Sequence, residues 1–91
     1  MKTLESLRAI IDELDQKIMR MLDERFKVCE EIGRLKASSS SPVLDEGREK
    51  AILQKIASSG LSYGGQIAGV YSRIMEESRS LQQRIIHEKD N

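Results

Sequence analysis

From Leu4 to Lys36 the apolar residues fall on a seven-residue repeat, and no other feature of the chain restricts its fold as much. One row reads Leu4, Ile11, Ile18, Arg25, Ile32, and its partner row reads Leu7, Leu14, Met21, Val28, Leu35. Arg25 is the only polar member of either row. Two such rows, running over more than four heptads, make a coiled-coil seam along one continuous helix. Thr3 is the expected N-cap, with Ser6 as a competitor.

Two further helices follow. The stretch Ala37 to Val43, ASSSSPV, reads as a loop, because serine competes for backbone hydrogen bonds and Pro42 cannot continue a helix. A second helix is expected from about Asp45 to Ala57, with Asp45 as N-cap and Ala51, Ile52 and Ile56 as its apolar face. Ser58, Ser59 and Gly60 end it, and Gly64 and Gly65 mark a second loop or a frayed helix start. A third helix is expected from about Gln66 to His87. Its stripe is Ile67, Val70, Tyr71, Ile74, Ser78, Leu81, Gln82, Ile85. The tail HEKDN is expected to be frayed and solvated. The fold class is all-α, one domain over residues 1–91.

The first helix is too long for a self-contained globule. At ~1.5 Å per residue it is a rod of roughly 50 Å, whereas a compact globule of this chain length has a diameter near ~30 Å. Two shorter helices cannot cover both rows, so the remainder is expected to lie against another chain. A homodimer with the long helices side by side follows.

Composition excludes several classes. Lys plus Arg equals Asp plus Glu at 15 each, a balance that argues against a nucleic-acid binder. The lone Cys29 rules out an internal disulfide and a cysteine-built zinc site, and one His leaves no His-paired metal site. No metal and no cofactor are expected. Glu5, Arg8, Asp12 and Glu13 interrupt what would be a signal peptide, and the longest charge-free run, Ile56 to Ser72, is too rich in Ser, Gly and Gln to cross a membrane. A cytoplasmic protein is expected.

Several polar residues sit where the pattern wants apolar ones, and each has two readings. Arg25 is either a device that sets helix register or a ligand for an anion. Lys36 is almost in line with it, three turns on, and taken alone is a helix C-terminal lysine meeting the macrodipole. Arg8 lies about 25 Å before Arg25 along the axis. It cannot share a small ligand with Arg25 of its own chain, but it can if a partner helix runs antiparallel. Ser78 and Gln82, one turn apart, are either packing residues or the polar wall of a pocket. Asp45 and Glu49 share a face with Arg48 adjacent, and taken alone they read as an N-cap, a first-turn acid and a surface ion-pair partner. Cys29 reads as a small buried hydrophobe and His87 as solvated.

These residues carry a resemblance. The stretches LRAIIDELDQKIMRMLDERFKVCEEIGRLK, VLDEGREK and YSRIMEESRSLQQ resemble the AroQ-class chorismate mutases, over nearly the whole chain from Leu4 to Gln83. The pattern is an Arg, a second Arg, a Lys, then Asp-x-x-Arg-Glu after the loop, and Ser-x-x-x-Gln on the last helix. Arg8, Arg25, Lys36, Asp45, Arg48, Glu49, Ser78 and Gln82 fill all eight site positions. Arg79, beside Ser78, is a more polar neighbour than the resemblance leads one to expect.

The resemblance implies an intertwined homodimer with antiparallel long helices. It also implies the rearrangement of chorismate to prephenate in aromatic amino acid biosynthesis. That step is pericyclic and needs no nucleophile, proton transfer or metal. The implied roles are as follows. Arg25, with Arg8 of the partner subunit, grips the two carboxylates, while Lys36 and Gln82 donate to the ether oxygen. Glu49 takes the ring hydroxyl, Asp45 and Ser78 support, and Arg48 pairs with carboxylates or orders the start of the second helix. The implied catalytic set is Lys36, Gln82, Arg25 and Glu49. Two competing expectations stand beside it: an isochorismate–pyruvate lyase of the same fold, and a regulatory mutase-like domain of a larger aromatic-biosynthesis enzyme.

Overall fold

The structure, a computed structural model, describes residues 2–90, with the backbone alone for residues 89 and 90. Three helices make up the fold, α1 (Leu4–Ser39), α2 (Glu46–Ser58) and α3 (Gly64–Asp90), and no strand occurs among the described residues. Both α1 and α2 pack on α3 and not on one another. The chain is elongated, 58 × 27 × 14 Å, because α1 extends far beyond the body that the other two helices form with it.

Local chemistry sets the helix ends. Thr3 and Ser6 form a reciprocal capping box, so the two residues that compete for the cap on sequence grounds cooperate in it. α1 runs to Ser39 rather than stopping at Lys36. Ser38 and Ser39 return their hydroxyls to the carbonyls of Arg34 and Leu35, which keeps the serines helical instead of breaking the helix. The chain then leaves through Ser40 in the left-handed region, with φ 56°. The Ser40 and Ser41 N–H groups both point back to the Lys36 carbonyl. Asp45 caps α2 by accepting from the Arg48 N–H at 3.0 Å. After α2, Gly60 turns the chain at φ 67°. Gly64 and Gly65, expected in a loop or a frayed helix start, form the first turn of α3, which Tyr63 starts by accepting from the Ile67 N–H. α3 continues through Asp90, beyond the expected end at His87, with His87 and Glu88 exposed as expected of the tail; Asn91 lies outside the described residues.

The interior is small. Its buried apolar members among the described residues are Cys29, Ile56, Ile74 and Met75. Ile74 belongs to the expected stripe of α3; Met75, the most buried of the four at 4% exposure, does not. On α2 the burial shifts from Ala51, which is exposed, towards Ile52, Leu53 and Ile56.

The heptad rows of α1 are not the surface that packs within the chain. Leu4, Leu7, Ile11, Leu14, Ile18, Met21, Val28, Ile32 and Leu35 are all exposed, at 39–70%. α3 lies instead against the line through Cys29 and Gly33, the two buried residues of α1. A Cβ on Gly33 would stand 3.2 Å from both Gln82 Cγ and Ile85 Cδ1. The absence of a side chain there lets the two helices close up.

Candidate active site

The close approach at Gly33 brings polar side chains of α1 and α3 into register. Arg25, Cys29 and Lys36 come from α1, and Ser78 and Gln82 from α3. The start of α2 adds Asp45, Arg48 and Glu49. All eight line one open cavity of about 480 Å³, together with Val28, Ile32, Val43, Ile52, Met75 and Arg79. α1 and α2 both pack on α3, so residues from three helices meet in one place.

Each polar group is held by specific partners. Arg25 donates through Nη1 to Ser78 Oγ at 2.9 Å, and its guanidinium lies 5.9 Å from the Tyr71 ring centroid. Ser78 donates in turn to the Ile74 carbonyl at 2.9 Å and accepts from the Cys29 thiol at 3.5 Å. Ser78 is therefore both back-bonded within its helix and a wall that aims Arg25. Lys36 donates to the Val43 carbonyl at 2.7 Å and to Gln82 Oε1 at 3.4 Å. The loop has folded back onto it, so its ammonium points into the cavity and not at the end of its own helix.

Gln82 is 6% exposed and doubly anchored. Its Nε2 donates to the Cys29 carbonyl at 3.1 Å while Oε1 faces the lysine ammonium. This amide has one acceptable orientation. A flip would set its NH2 against a cation and its oxygen against a carbonyl. One N–H of Gln82 and one of Lys36 remain after these bonds, both available to an acceptor in the cavity.

The electrostatics follow from pairing. Among the described residues Arg25, Lys36 and Arg48 form no ion pair, and Arg79 pairs with Glu49 through Nη1 at 2.6 Å from both carboxylate oxygens. Asp45 spends one carboxylate oxygen on its helix N-terminus. The cavity thus holds three cations with no carboxylate partner beside donors that converge from α1 and α3. Such a site suits an anionic ligand with hydrogen-bond acceptors.

Seven of the eight residues expected from sequence meet here. Arg8 does not: it is exposed on the free N-terminal part of α1, about 25 Å along the helix from Arg25. Arg79 and Cys29 are site members whose place sequence reasoning did not assign. Arg79 stands out in the sequence as a polar neighbour of Ser78, but nothing there ties it to Glu49. Cys29 could have been noticed as the small residue one turn before Gly33. No group of three or more potential metal-ligating side chains occurs among the described residues.

Comparison with known proteins shows the family. Residues 7–83 match the family described as chorismate mutase type II, and the chain belongs to that family. A bifunctional chorismate mutase/prephenate dehydratase from Aquifex aeolicus is 33% identical, with 93% of this chain and 25% of that protein covered. The Escherichia coli protein of the same name is 31% identical, over 97% of this chain and 24% of its own length. A chorismate mutase from Methanocaldococcus jannaschii is 26% identical, over 97% of this chain and 92% of its own. The chain therefore spans about a quarter of the bifunctional relatives it matches. No solved structure matches significantly.

Proposed function

We propose that this chain converts chorismate to prephenate as a cytoplasmic homodimer, with each site completed by Arg8 of the partner subunit. The observation that carries the reading is the unpaired cation set, Arg25, Lys36 and Arg48, converging with Gln82 on one cavity in a member of the chorismate mutase type II family. The substrate is a dicarboxylate whose ether C–O bond breaks as a C–C bond forms, so negative charge builds on the ether oxygen. Two demands follow: hold the flexible substrate folded, and meet that charge.

Arg25 supplies a fixed guanidinium for one carboxylate, because Ser78 and Tyr71 restrain it. Arg8 of the partner subunit supplies a second, and Arg48 stands at the cavity edge for carboxylate pairing. Lys36 and Gln82 point their remaining N–H groups at the ether oxygen, a preorganised pair of donors worth on the order of 3–4 kcal/mol each in the transition state. Glu49 accepts the ring hydroxyl, and Asp45 supports the wall by capping α2. No proton transfer is required, which suits a site whose working groups are cations and an amide.

The dimer is supported by what α1 leaves uncovered. Eleven large apolar side chains of this helix are exposed in the single chain, far more than a stable monomer leaves in contiguous array. Antiparallel pairing brings Arg8 of one protomer to the Arg25 end of the other.

The test is incubation of purified chain with chorismate and, separately, isochorismate, with products identified by NMR, since prephenate is an isomer of chorismate and has the same mass. Prephenate from chorismate is the expected product. Pyruvate released from isochorismate, with chorismate untouched, would replace this reading with the lyase. No turnover by a folded dimer would replace it with a regulatory module.

A further inference from the structure

Of the five ion pairs among the described residues, four join residues three or four apart on one helix, with side chains 42–71% exposed. The fifth, Arg79–Glu49, joins α3 to α2 and is the least exposed, at 30% and 24%. It lies in the wall of the cavity, where one Nη1 is shared by both oxygens of Glu49.

Glu49 is the cavity carboxylate with freedom to do harm. It follows Arg48 directly, and Arg25 lines the same cavity. A glutamate has three side-chain torsions, and left to itself it would turn to the nearest cation or to water. Either movement degrades the site. Pairing with Arg48 or Arg25 would neutralise a clamp meant for the substrate, and turning outward would remove the acceptor for the ring hydroxyl. Arg79 forestalls both, because it occupies Glu49 while leaving each carboxylate oxygen lone pairs for a further donor. The distribution of pairs fits this: Glu49 has a partner, and Arg25, Lys36 and Arg48 have none among the described residues.

We infer that Arg79 is a positioning residue for substrate recognition, holding Glu49 in place to receive the ring hydroxyl and keeping Arg25 and Arg48 free for carboxylates. The inference rests on the chorismate reading above. Arg79 acts through Glu49 and not on the substrate, and that is what separates it from one more cation in the clamp. It is also separate from a simple staple between α2 and α3, which would alter stability without altering recognition.

A double-mutant cycle on the purified dimer tests it, with Arg79→Met, Glu49→Gln and the pair together, each checked by thermal melting. The hydroxyl contact exists in the bound substrate and in the transition state alike, so its loss belongs in KM. Arg79→Met is expected to raise KM about tenfold with kcat within about threefold of wild type. In the Glu49→Gln background the same substitution is expected to change KM less than about twofold, since the charge it restrains is gone. Arg79→Lys is expected to recover most of the loss. A KM rise that persists undiminished in the Glu49→Gln background overturns the inference, as does an unchanged KM with a lowered melting point. If Arg79→Met does not fold, Arg79→Lys and Arg79→Gln carry the test: KM must rise in the order wild type, Lys, Gln, and any other order overturns it. A wild-type chain that makes no prephenate overturns the functional reading and this inference together, whereas an active wild type with any contrary result above overturns this inference alone.

Discussion

Lys36 shows that a residue's place along a helix does not settle what its side chain does. As a lysine in the last turn of α1 it satisfies the ordinary dipole rule, yet its Nζ donates to the Val43 carbonyl and to Gln82. Both anchors spend N–H groups to aim the remaining one. On the proposed reading, removing the Lys36 donor takes away stabilisation realised in the transition state, and removing the Arg25 guanidinium takes away the carboxylate grip that holds the substrate folded. Lys36→Ala and Arg25→Ala are each expected to lower kcat/KM by ~10²–10³ with the dimer intact; activity within tenfold of wild type in either variant contradicts the assignment. Gln82 makes a different prediction, about pH. A neutral amide donates at any pH, so the wild-type rate is not expected to need an acidic medium. A carboxyl group donates only while protonated. Gln82→Glu is expected to confine activity to acid, where the new carboxyl carries its proton, and the rate should fall as pH rises. A Gln82→Glu profile as flat as that of wild type would show that position 82 does not donate to the ether oxygen.

At the scale of elements, the heptad rows were legible and the helix contact was not. Leu, Ile, Val and Met at seven-residue spacing announce an apolar face whatever covers it, so α1 from Leu4 to Lys36 follows from pattern alone. The α1–α3 contact depends on Cys29 and Gly33, whose small size is what matters, and smallness leaves no trace in a hydrophobic period. The serines after Lys36 misled for a related reason. Their hydroxyls can bond locally either to end a helix or to extend it, and here the bonds to Arg34 and Leu35 extend it. Arg25, Ser78 and Gln82 were readable because a polar residue in an apolar stripe is anomalous by itself; Lys36, Asp45, Arg48 and Glu49 read as ordinary surface residues one by one, and it is the resemblance that singles them out and the packing of α1 and α2 on α3 that brings these seven to one cavity. Gly33 tests the contact directly. Alanine there gains roughly 0.5–1 kcal/mol of helix propensity but sets a methyl 3.2 Å from Gln82 Cγ and 3.4 Å from Gln82 Cα, so the neighbour must move a few tenths of an ångström. Gly33→Ala is expected to leave the melting temperature within a few degrees while lowering kcat/KM about tenfold, through displacement of Gln82. Unchanged turnover would mean that the approach at Gly33 serves packing alone.

For the whole molecule, the uncovered face of α1 and the missing eighth residue are the same problem. Among the described residues four apolar side chains are buried, and the N-terminal half of the long amphipathic helix lies in water, too little interior for a fold of this size to stand alone. The helix that would cover this face is the one that carries Arg8. Stability and catalysis are then coupled: a charge placed in the apolar row, such as Leu14→Glu, is expected to abolish activity by dissociating or unfolding the dimer, with no residue of the cavity touched. Whether Arg8 works across the interface has its own test. Arg8→Ala and Arg25→Ala chains are each expected to be nearly inactive as homodimers. Mixed in equal amounts, unfolded and refolded together, they form hybrids in half of the dimers. If each site takes Arg25 from one chain and Arg8 from the other, every hybrid has one site with both arginines and one with neither. About a quarter of all sites are then intact, and about a quarter of wild-type activity returns. If both arginines served a site from the same chain, every site in every hybrid would carry a lesion and mixing would restore nothing. The recovered fraction therefore separates a site shared between protomers from one contained in each, independently of how fast the intact enzyme turns over.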